Sequence, residues 1–329
     1  MTVWLATQPL IGEHIRPFDP RRDLEGLADL IEIAFGRELA LTESRMVQDM
    51  RQVAQWGPIL WAAQAFQLFA GYVWVEGDTL VGNVSFSRDK QADDTWIIAN
   101  VAVLPEYRGR GIAGRLMDAA IEHIRRQGGK RILLQVKAEN EPARALYRHR
   151  GFVPFDTLHE LSLSPAHWPL LLGSPDKRLR PVRRGDQQAL FRLVQASTPP
   201  EVLRRRPIRA SDFRRNIFWQ LGQTLRLLLG GKALLELIAE GDKGLLAYGA
   251  LTAQLLRGSY EMAIHVLPEQ RGHWELALIQ GLFHLLERLP RQTVRANVSS
   301  SHPEALQAFE CMGFRTLRVL EQMSLELEE

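Results

Sequence analysis

The sequence predicts an α/β chain of two tandem domains, each a mixed sheet with helices packed on it. Three observations carry this. A chain of 329 residues exceeds one ordinary core and suits two domains of roughly 150 residues each. An apolar, β-branched run from Ile97 to Val103 passes through a glycine-rich turn into a helical apolar pattern at Leu116, Met117, Ala120, Ile121 and Ile124. Landmarks also recur at a nearly constant offset. Arg16-Pro17 returns as Arg180-Pro181 and Glu76-Gly77-Asp78 as Glu240-Gly241-Asp242, both at 164. Leu104-Pro105-Glu106 returns as Leu267-Pro268-Glu269 at 163, and Gly151-Phe152 as Gly313-Phe314 at 162. Four landmarks in the same order indicate a duplicated domain. The expected boundaries are 1–163 for the first domain, 164–178 for a linker marked by Pro165, Pro169, Gly173 and Pro175, and 179–329 for the second.

In chain order, a short strand is expected around His14 to Pro17. An amphipathic helix follows over Asp23–Ala34, with Leu24, Leu27, Leu30, Ile31 and Ile33 on its apolar side. A second helix is expected near Glu43 to Val53. Tyr72–Val75, the turn Glu76-Gly77-Asp78 and Leu80–Phe86 read as a hairpin. Pro105, which has no N–H to donate, ends the central strand. After the long helix come a strand at Arg131–Val136, a helix over Asn140–His149 and a closing strand near Leu158–Leu163. Residues 57–75 carry no charge, but Gln64, Gln67 and Gly71 interrupt them and their end alternates as a strand, so they read as core and not as a membrane span.

The chemistry concentrates after the central strand. Gly109, Gly111 and Gly114 lie where a strand feeds a helix. The first N–H groups of that helix have no partner within it, and its dipole adds positive potential. Such a turn binds anions and suits a pyrophosphate, with glycine admitting the close approach. Arg108, Arg110 and Arg115 surround it. A second cluster, Asn140-Glu141-Pro142-Ala143-Arg144-Ala145-Leu146-Tyr147-Arg148-His149-Arg150-Gly151-Phe152, follows about thirty residues later.

Together the two clusters resemble the GNAT superfamily of acyl-CoA-dependent N-acyltransferases. Its phosphate loop, Arg/Gln-x-x-Gly-x-Gly/Ala, is matched by Arg108, Gly111 and Ala113. Its later helix, Asn-x-x-Ala-x-x-x-Tyr-x-x-x-Gly-Phe, is matched by Asn140, Ala143, Tyr147, Gly151 and Phe152. The resemblance implies a GNAT-like mixed α+β sheet in each half, with acetyl-CoA held between two strands that splay apart. Cofactor-binding residues would be Val101, Ala102 and Val103 along the strand end, Arg108, Gly109, Arg110, Gly111, Ile112, Ala113 and Gly114 on the loop, and Asn140 and Tyr147. The N–H of Val101 or Val103 would polarise the thioester carbonyl for direct attack by an amine. Tyr147 would be the general acid toward the departing thiolate and Asn140 would bind pantetheine or order the helix start. The base stays open: the strand offers Asn100 and no carboxylate, which leaves Asp93, Asp94, His159 and Glu160 as alternatives.

The second copy departs from the pattern. Gly111 corresponds to Trp274, Ala113 to Leu276, Ile112 to Glu275, Asn140 to His302 and Tyr147 to Phe309. An indole replaces bare backbone, a carboxylate stands where an anion should bind, and the phenol is lost. This half is expected to be degenerate and structural.

Composition sets further bounds. A net charge of +3 gives little to a nucleic acid, and Arg204-Arg205-Arg206 reads as a solvated helix end. The single Cys311 excludes an internal disulfide and reads as a buried core thiol; its scarcity and the lack of a signal-like start suggest the cytoplasm. No His/Cys set has metal-ligand spacing, so no metal is expected. The expected partners are acetyl-CoA and an amine, with a small molecule favoured by analogy to the mycothiol synthase branch, which also pairs tandem copies. A non-catalytic acyl-CoA sensor is the alternative. Neither nucleic acid nor membrane is expected, and the chain would be a monomer or homodimer.

Overall fold

The computed structural model describes residues 14–41, 47–48, 50–51, 70–89, 92–171, 174–213, 232–242, 244–254, 258–287 and 289–327. They form two compact units. Unit 1 holds Met1–Gln135, Pro142–Val153 and Met323–Glu329, and unit 2 holds Val136–Glu141 and Pro154–Gln322. Most of the helix expected at Glu43–Val53, and residues 57–69 of the uncharged stretch, lie outside the described residues.

In unit 1 the strands β1 (Ile15–Pro17), β2 (Gly71–Glu76), β3 (Thr79–Arg88), β4 (Thr95–Val103) and β5 (Arg131–Lys137) are neighbours in that order. β1 to β4 pair antiparallel, whereas β4 and β5 pair parallel, so the sheet is mixed. The parallel step follows from the crossover through α2 (Ile112–Arg126). Helix α1 runs over Pro20–Leu41, longer at both ends than its apolar pattern implied. Leu24, Leu27, Ala28 and Ile31 form its buried stripe, but Ile33 is 58% exposed. Nine residues after Leu24, Ile33 falls on the opposite side of a helix with 3.6 residues per turn. On α2, Leu116, Met117, Ala120 and Ile124 are fully buried, as the sequence pattern required, each larger side chain contributing about 2 kcal/mol of burial.

The repeated Arg-Pro landmark has a physical basis. Arg16 on β1 donates two hydrogen bonds to the buried Asp23 at the start of α1, at 2.5 and 2.6 Å. Arg180 on β7 (Leu179–Pro181) does the same to Asp186 at 2.7 and 3.0 Å and also reaches Glu240. In each unit a strand arginine thereby fixes the entry to the first helix. The Gly-Phe landmark is a helix end. α3 (Glu141–Arg148) closes with Gly151 at φ 84°, where the Phe152 N–H reaches the Tyr147 carbonyl at 3.1 Å.

Unit 2 repeats the plan. After β7 come α4 (Gln187–Ser197), α5 (Pro200–Arg205), β8 (Lys232–Gly241), β9 (Gly244–Gln254), β10 (Tyr260–Val266), α6 (Glu275–Leu286), β11 (Val294–Ser299) and α7 (Pro303–Cys311). Here β10 and β11 are the parallel pair. The residues from Ser164 on, expected as linker, include Trp168, whose ring packs against Tyr260 and Phe283 in this unit and whose indole N–H donates to the Gln292 carbonyl at 2.9 Å. Arg204 and Arg205 pair with Glu201, and Arg205 also lies over the Phe155 ring at 5.2 Å. Cys311 is exposed, contrary to the core thiol expected; Phe309 and Met312 take the inward positions of that helix end.

The closing strands are exchanged relative to the sequence halves. β6 (Val153–Leu163), expected to close the first domain, pairs antiparallel with β11 over Leu158–Leu163 in unit 2. The end of β12 (Arg315–Glu326) belongs to unit 1: the Leu327 N–H donates to the Lys130 carbonyl at 2.8 Å, and Arg131 pairs with Glu326 at 2.6 Å. Strand order alone does not determine which half supplies the sixth strand, because both closing segments follow a Gly-Phe corner. Ending the chain at Gln322 is expected to bare the β5 edge and remove the buried Met323 and Leu327. Amide exchange over Ile132–Gln135 will then accelerate about tenfold while β8–β9 amides keep their protection, a contrast that exchange mass spectrometry reads directly.

Candidate active site

The site begins where β4 leaves β5. The two strands pair at only three positions, Thr95 with Arg131, Trp96 with Ile132 and Ile97 with Leu133, although β4 continues to Val103 and β5 to Lys137. Beyond Ile97 the ladder is open. Just past that point the β3–β4 register shifts: Asn83 faces Ala102, but Ser85 faces Ala99. Two residues of β4, Asn100 and Val101, thus oppose one of β3, which is a β-bulge. Asn100 has φ 52° and is the single non-glycine residue with positive φ among those described. The buried Asn83 donates from Nδ2 to the Asn100 carbonyl at 2.9 Å and to Ser85 Oγ at 3.1 Å.

Val103 ends the strand. The Leu104 N–H donates back to Val81 O at 2.9 Å, so the Val103 carbonyl in the same peptide faces the other side, where Arg108 Nε donates to it at 3.1 Å. A 3-10 turn at Pro105–Tyr107 then leads into the loop. Arg110 donates to the Glu106 carbonyl at 3.1 Å and lies over the Tyr107 ring at 4.8 Å. Both arginines are anchored while their cationic groups stay beside the loop.

Gly109 and Gly111 have φ 77° and 76°, a left-handed backbone that glycine adopts without strain, and a Cβ at either would meet no atom within 4 Å. Open space therefore faces the loop. Gly111 is the N-cap of α2 and offers no capping side chain, so the N–H groups of Ile112, Ala113 and Gly114 start the helix without such a cap. These features fit a pyrophosphate. Gly114 has a further reason: a Cβ there would lie 2.6 Å from the Arg150 guanidinium and 3.8 Å from Leu146 Cδ1. Its smallness lets α3 approach the helix start, where Arg150 pairs with Asp118 at 2.7 Å.

Tyr147 lies on that helix beside Leu146. Its ring is buried against Phe152, with centroids 6.0 Å apart, and its hydroxyl has no hydrogen-bond partner among the described residues. Burial pushes its pKa up to about 12. The phenol thus keeps its proton at neutral pH. Asn140 stands immediately before α3, its N–H donating to the Lys137 carbonyl at 3.0 Å. Of the candidate bases, Asp94 sits at the zipped end of β4, its carbonyl accepting from Lys130 and Arg131. Seven residues of strand, about 20 Å, separate it from Val101, and Asp93 is farther still. Glu160 is paired with Arg318 and His159 Nε2 lies 3.0 Å from Ser300 Oγ, all in unit 2. Sequence reasoning missed Asn83 and Ser85. The signal was present: Gly82-Asn83 interrupts an apolar strand, which marks a bulge or close backbone approach.

Unit 2 keeps the frame and fills the seat. The 3-10 turn at Pro268–Gln270, Arg271 and Gly272 at φ 84° reproduce the first loop. Here the 2% exposed Glu275 turns its own carboxylate back onto the loop, accepting from the N–H of Gly272 at 2.9 Å and of Trp274 at 3.2 Å, with His302 Nε2 at 2.8 Å on its other oxygen. Burial alone would raise the Glu275 pKa, but the hydrogen bonds from His302 and the backbone outweigh it and hold the carboxyl below the ordinary glutamate range. Trp274 is buried in the core and Phe309, in the place of Tyr147, packs against Phe314 at 4.9 Å. β9 and β10 pair without a register shift over Glu261–Val266, so the bulge is missing too.

A carboxyl with a depressed folded pKa stabilises the protein above its unfolded pKa, and that contribution disappears as pH falls through the folded value. Unit 2 is therefore expected to lose thermal stability as pH falls through and below the ordinary glutamate range, and Glu275→Gln is expected to flatten that dependence. Melting curves from pH 6 to about 3, followed by exchange at α6 amides, check it.

Residues 32–152 match the family model described as Acetyltransferase (GNAT) family. N-alpha-acetyltransferase 30 of Schizosaccharomyces pombe is 30% identical over 95 residues, 28% of this chain and 63% of that protein. Mycothiol acetyltransferase of Paenarthrobacter aurescens is 46% identical over 57 residues, 17% of this chain and 18% of that one. The chain thus aligns with less than two thirds of either relative. A GCN5-related N-acetyltransferase from Sphaerobacter thermophilus shares the fold at TM-score 0.62 and 17% identity, covering 96% of both chains. A tandem GNAT protein from the clavulanic acid biosynthesis pathway does so at TM-score 0.56 and 16% identity, covering 96% of this chain and 98% of the other. The chain has a mixed-sheet α/β fold shared with a tandem GNAT protein, and its residues 32–152 are similar to the GNAT acetyltransferase family.

Proposed function

We propose that unit 1 is an N-acetyltransferase that moves the acetyl group of acetyl-CoA to a primary amine by direct attack, and that unit 2 does not bind acetyl-CoA. One observation carries this above the others: in unit 1 the bulge and the uncapped glycine loop lie beside the opened β4–β5 ladder, whereas unit 2, whose β10–β11 ladder also ends after three pairs, has no bulge and fills its loop with Glu275.

Acetyl-CoA supplies the activated acyl group; the residues of the chain hold and polarise it. The N–H groups of Ile112, Ala113 and Gly114, with Arg108 and Arg110, bind the pyrophosphate. The main chain of Val101–Val103 lies along the pantetheine arm, and its gap-facing N–H groups donate to the thioester oxygen as that oxygen gains charge. Tyr147 stays protonated and donates to the departing sulfur. With its pKa pushed up to about 12, transfer to a thiolate of ordinary pKa near 8.5 is uphill. Its role is then a hydrogen bond to the thiolate as charge develops, with full transfer favoured only as the same burial raises the thiol pKa. No carboxylate lies on β4, so the ammonium loses its proton to solvent water before it attacks. The acceptor is a small-molecule amine, in keeping with the named mycothiol acetyltransferase relative. A cytoplasmic setting fits a chain with one cysteine, and no helix among the described residues is long and apolar enough to cross a membrane.

Thiol release from acetyl-CoA, measured with ethylamine, glucosamine and an alanyl peptide as acceptors, tests the assignment. Tyr147→Phe is expected to lower kcat about a hundredfold with little change in CoA affinity or melting temperature, since the hydroxyl bonds to no described residue. Turnover of the peptide alone would shift the acceptor class. Binding of acetyl-CoA without turnover of any amine would make the chain a sensor.

A further inference from the structure

We propose that Asn83 is the positioning residue that aims the Val101 N–H at the acyl oxygen; this rests on the acetyltransferase function proposed for unit 1. The geometry is that of one peptide plane. The Asn100 carbonyl and the Val101 N–H belong to the same trans peptide and point in opposite directions. β3 and β5 flank β4 on its two sides. Asn83, on β3, holds the Asn100 carbonyl at 2.9 Å, so the Val101 N–H faces away from β3, into the gap that β5 has left open.

The amide of Asn83 has one workable orientation. Both of its hydrogens are engaged, one on the Asn100 carbonyl and one on Ser85 Oγ at 3.1 Å. The flipped amide would set its oxygen against the carbonyl oxygen, two acceptors face to face. The side chain is 1% exposed, so it is held by its surroundings and not by solvent. The bulge also needs this support. Asn100 sits at φ 52°, a conformation disfavoured for side chains other than glycine, and its carbonyl has left the ladder where a regular strand would have paired it.

Unit 2 supplies the internal control. There Val266 faces Ala247 and His265 faces Tyr248, as Val103 faces Gly82 and Ala102 faces Asn83 in unit 1. Tyr248 therefore stands in the place of Asn83. Its hydroxyl donates to Glu236 at 2.6 Å instead of to a strand carbonyl, and the β9–β10 ladder runs on without a bulge. The asparagine and the bulge occur together in one unit and are absent together in the other.

Asn83→Asp and Asn83→Leu keep the approximate size of the side chain and remove its donors. Three readings on the full-length chain decide the matter: kcat for the best acceptor amine, affinities for CoA and acetyl-CoA, and the infrared carbonyl stretch of bound carbonyl-13C acetyl-CoA. In wild type the stretch is expected to shift to lower frequency on binding, and acetyl-CoA to bind more tightly than CoA. In both variants that shift and that preference are expected to vanish and kcat to fall on the order of ten- to a hundredfold, with CoA affinity within twofold of wild type. Retention of the shift and of kcat to within threefold, in either variant that folds, overturns the proposal. Parallel loss of CoA affinity and kcat also overturns it, because it marks a purely structural role. Failure of both variants to fold does so on the same ground. Active wild type with indifferent variants removes this inference alone, whereas wild type that neither binds CoA nor releases thiol removes the acetyltransferase function with it.

Discussion

The site in unit 1 depends on a ladder that stops early. β4 and β5 share three paired positions and then part, leaving both strands with backbone groups that no neighbouring strand satisfies. Unpaired backbone N–H and C=O groups are costly when buried, so such a gap persists only if something else fixes its edges. On one edge the bulge at Asn100 is held by Asn83, and at the end of the strand the Val103 carbonyl is held by Arg108. Between these held points the facing edges of β4 and β5 do not pair with one another. The loop that follows inherits its position from this strand end: Pro105 stops the strand, the 3-10 turn redirects the chain, and two left-handed glycines deliver it to an uncapped helix. Gly114 then admits the side chains of Leu146, on α3, and of Arg150, just past it.

The second unit keeps the same frame with different residues at the loop. Its backbone retains the 3-10 turn, the left-handed Gly272 and the Gly-Phe corner. What differs is occupancy. Glu275 places a carboxylate on its own loop where the first loop has Ile112, and Trp274, in the place of Gly111, is buried in the core. With the Glu275 carboxylate bound to the loop N–H groups of Gly272 and Trp274, this helix start offers fewer donors and less positive potential to an anion.

Much of this was legible in the sequence. Pro105, the glycine spacing and the Asn140–Phe152 frame placed the loop and both helices, because each residue answers a local backbone demand that does not depend on distant partners. The constant offset revealed the duplication for the same reason. Ile33 misled because an apolar residue near a helical stripe was taken to be on it, and Cys311 because its neighbours Phe309 and Met312 are buried while it faces outward. The exchange of closing strands was not legible, since β6 and the end of β12 present similar apolar alternation after similar corners, and strand pairing is decided by tertiary contact. Asn83 escaped notice because its role is defined only by the register of the strand opposite. The Glu275 carboxylate was foreseen as an unwelcome charge, but its three hydrogen bonds depend on His302, 27 residues away, being brought to it by the fold.

The central claim is that one loop of the two is a cofactor seat. Calorimetric titration of the full-length chain with acetyl-CoA, in wild type and in Gly111→Trp, tests it most directly. One equivalent bound by wild type and none by the variant is the predicted result. Two equivalents in wild type, or binding that survives Gly111→Trp, would contradict it.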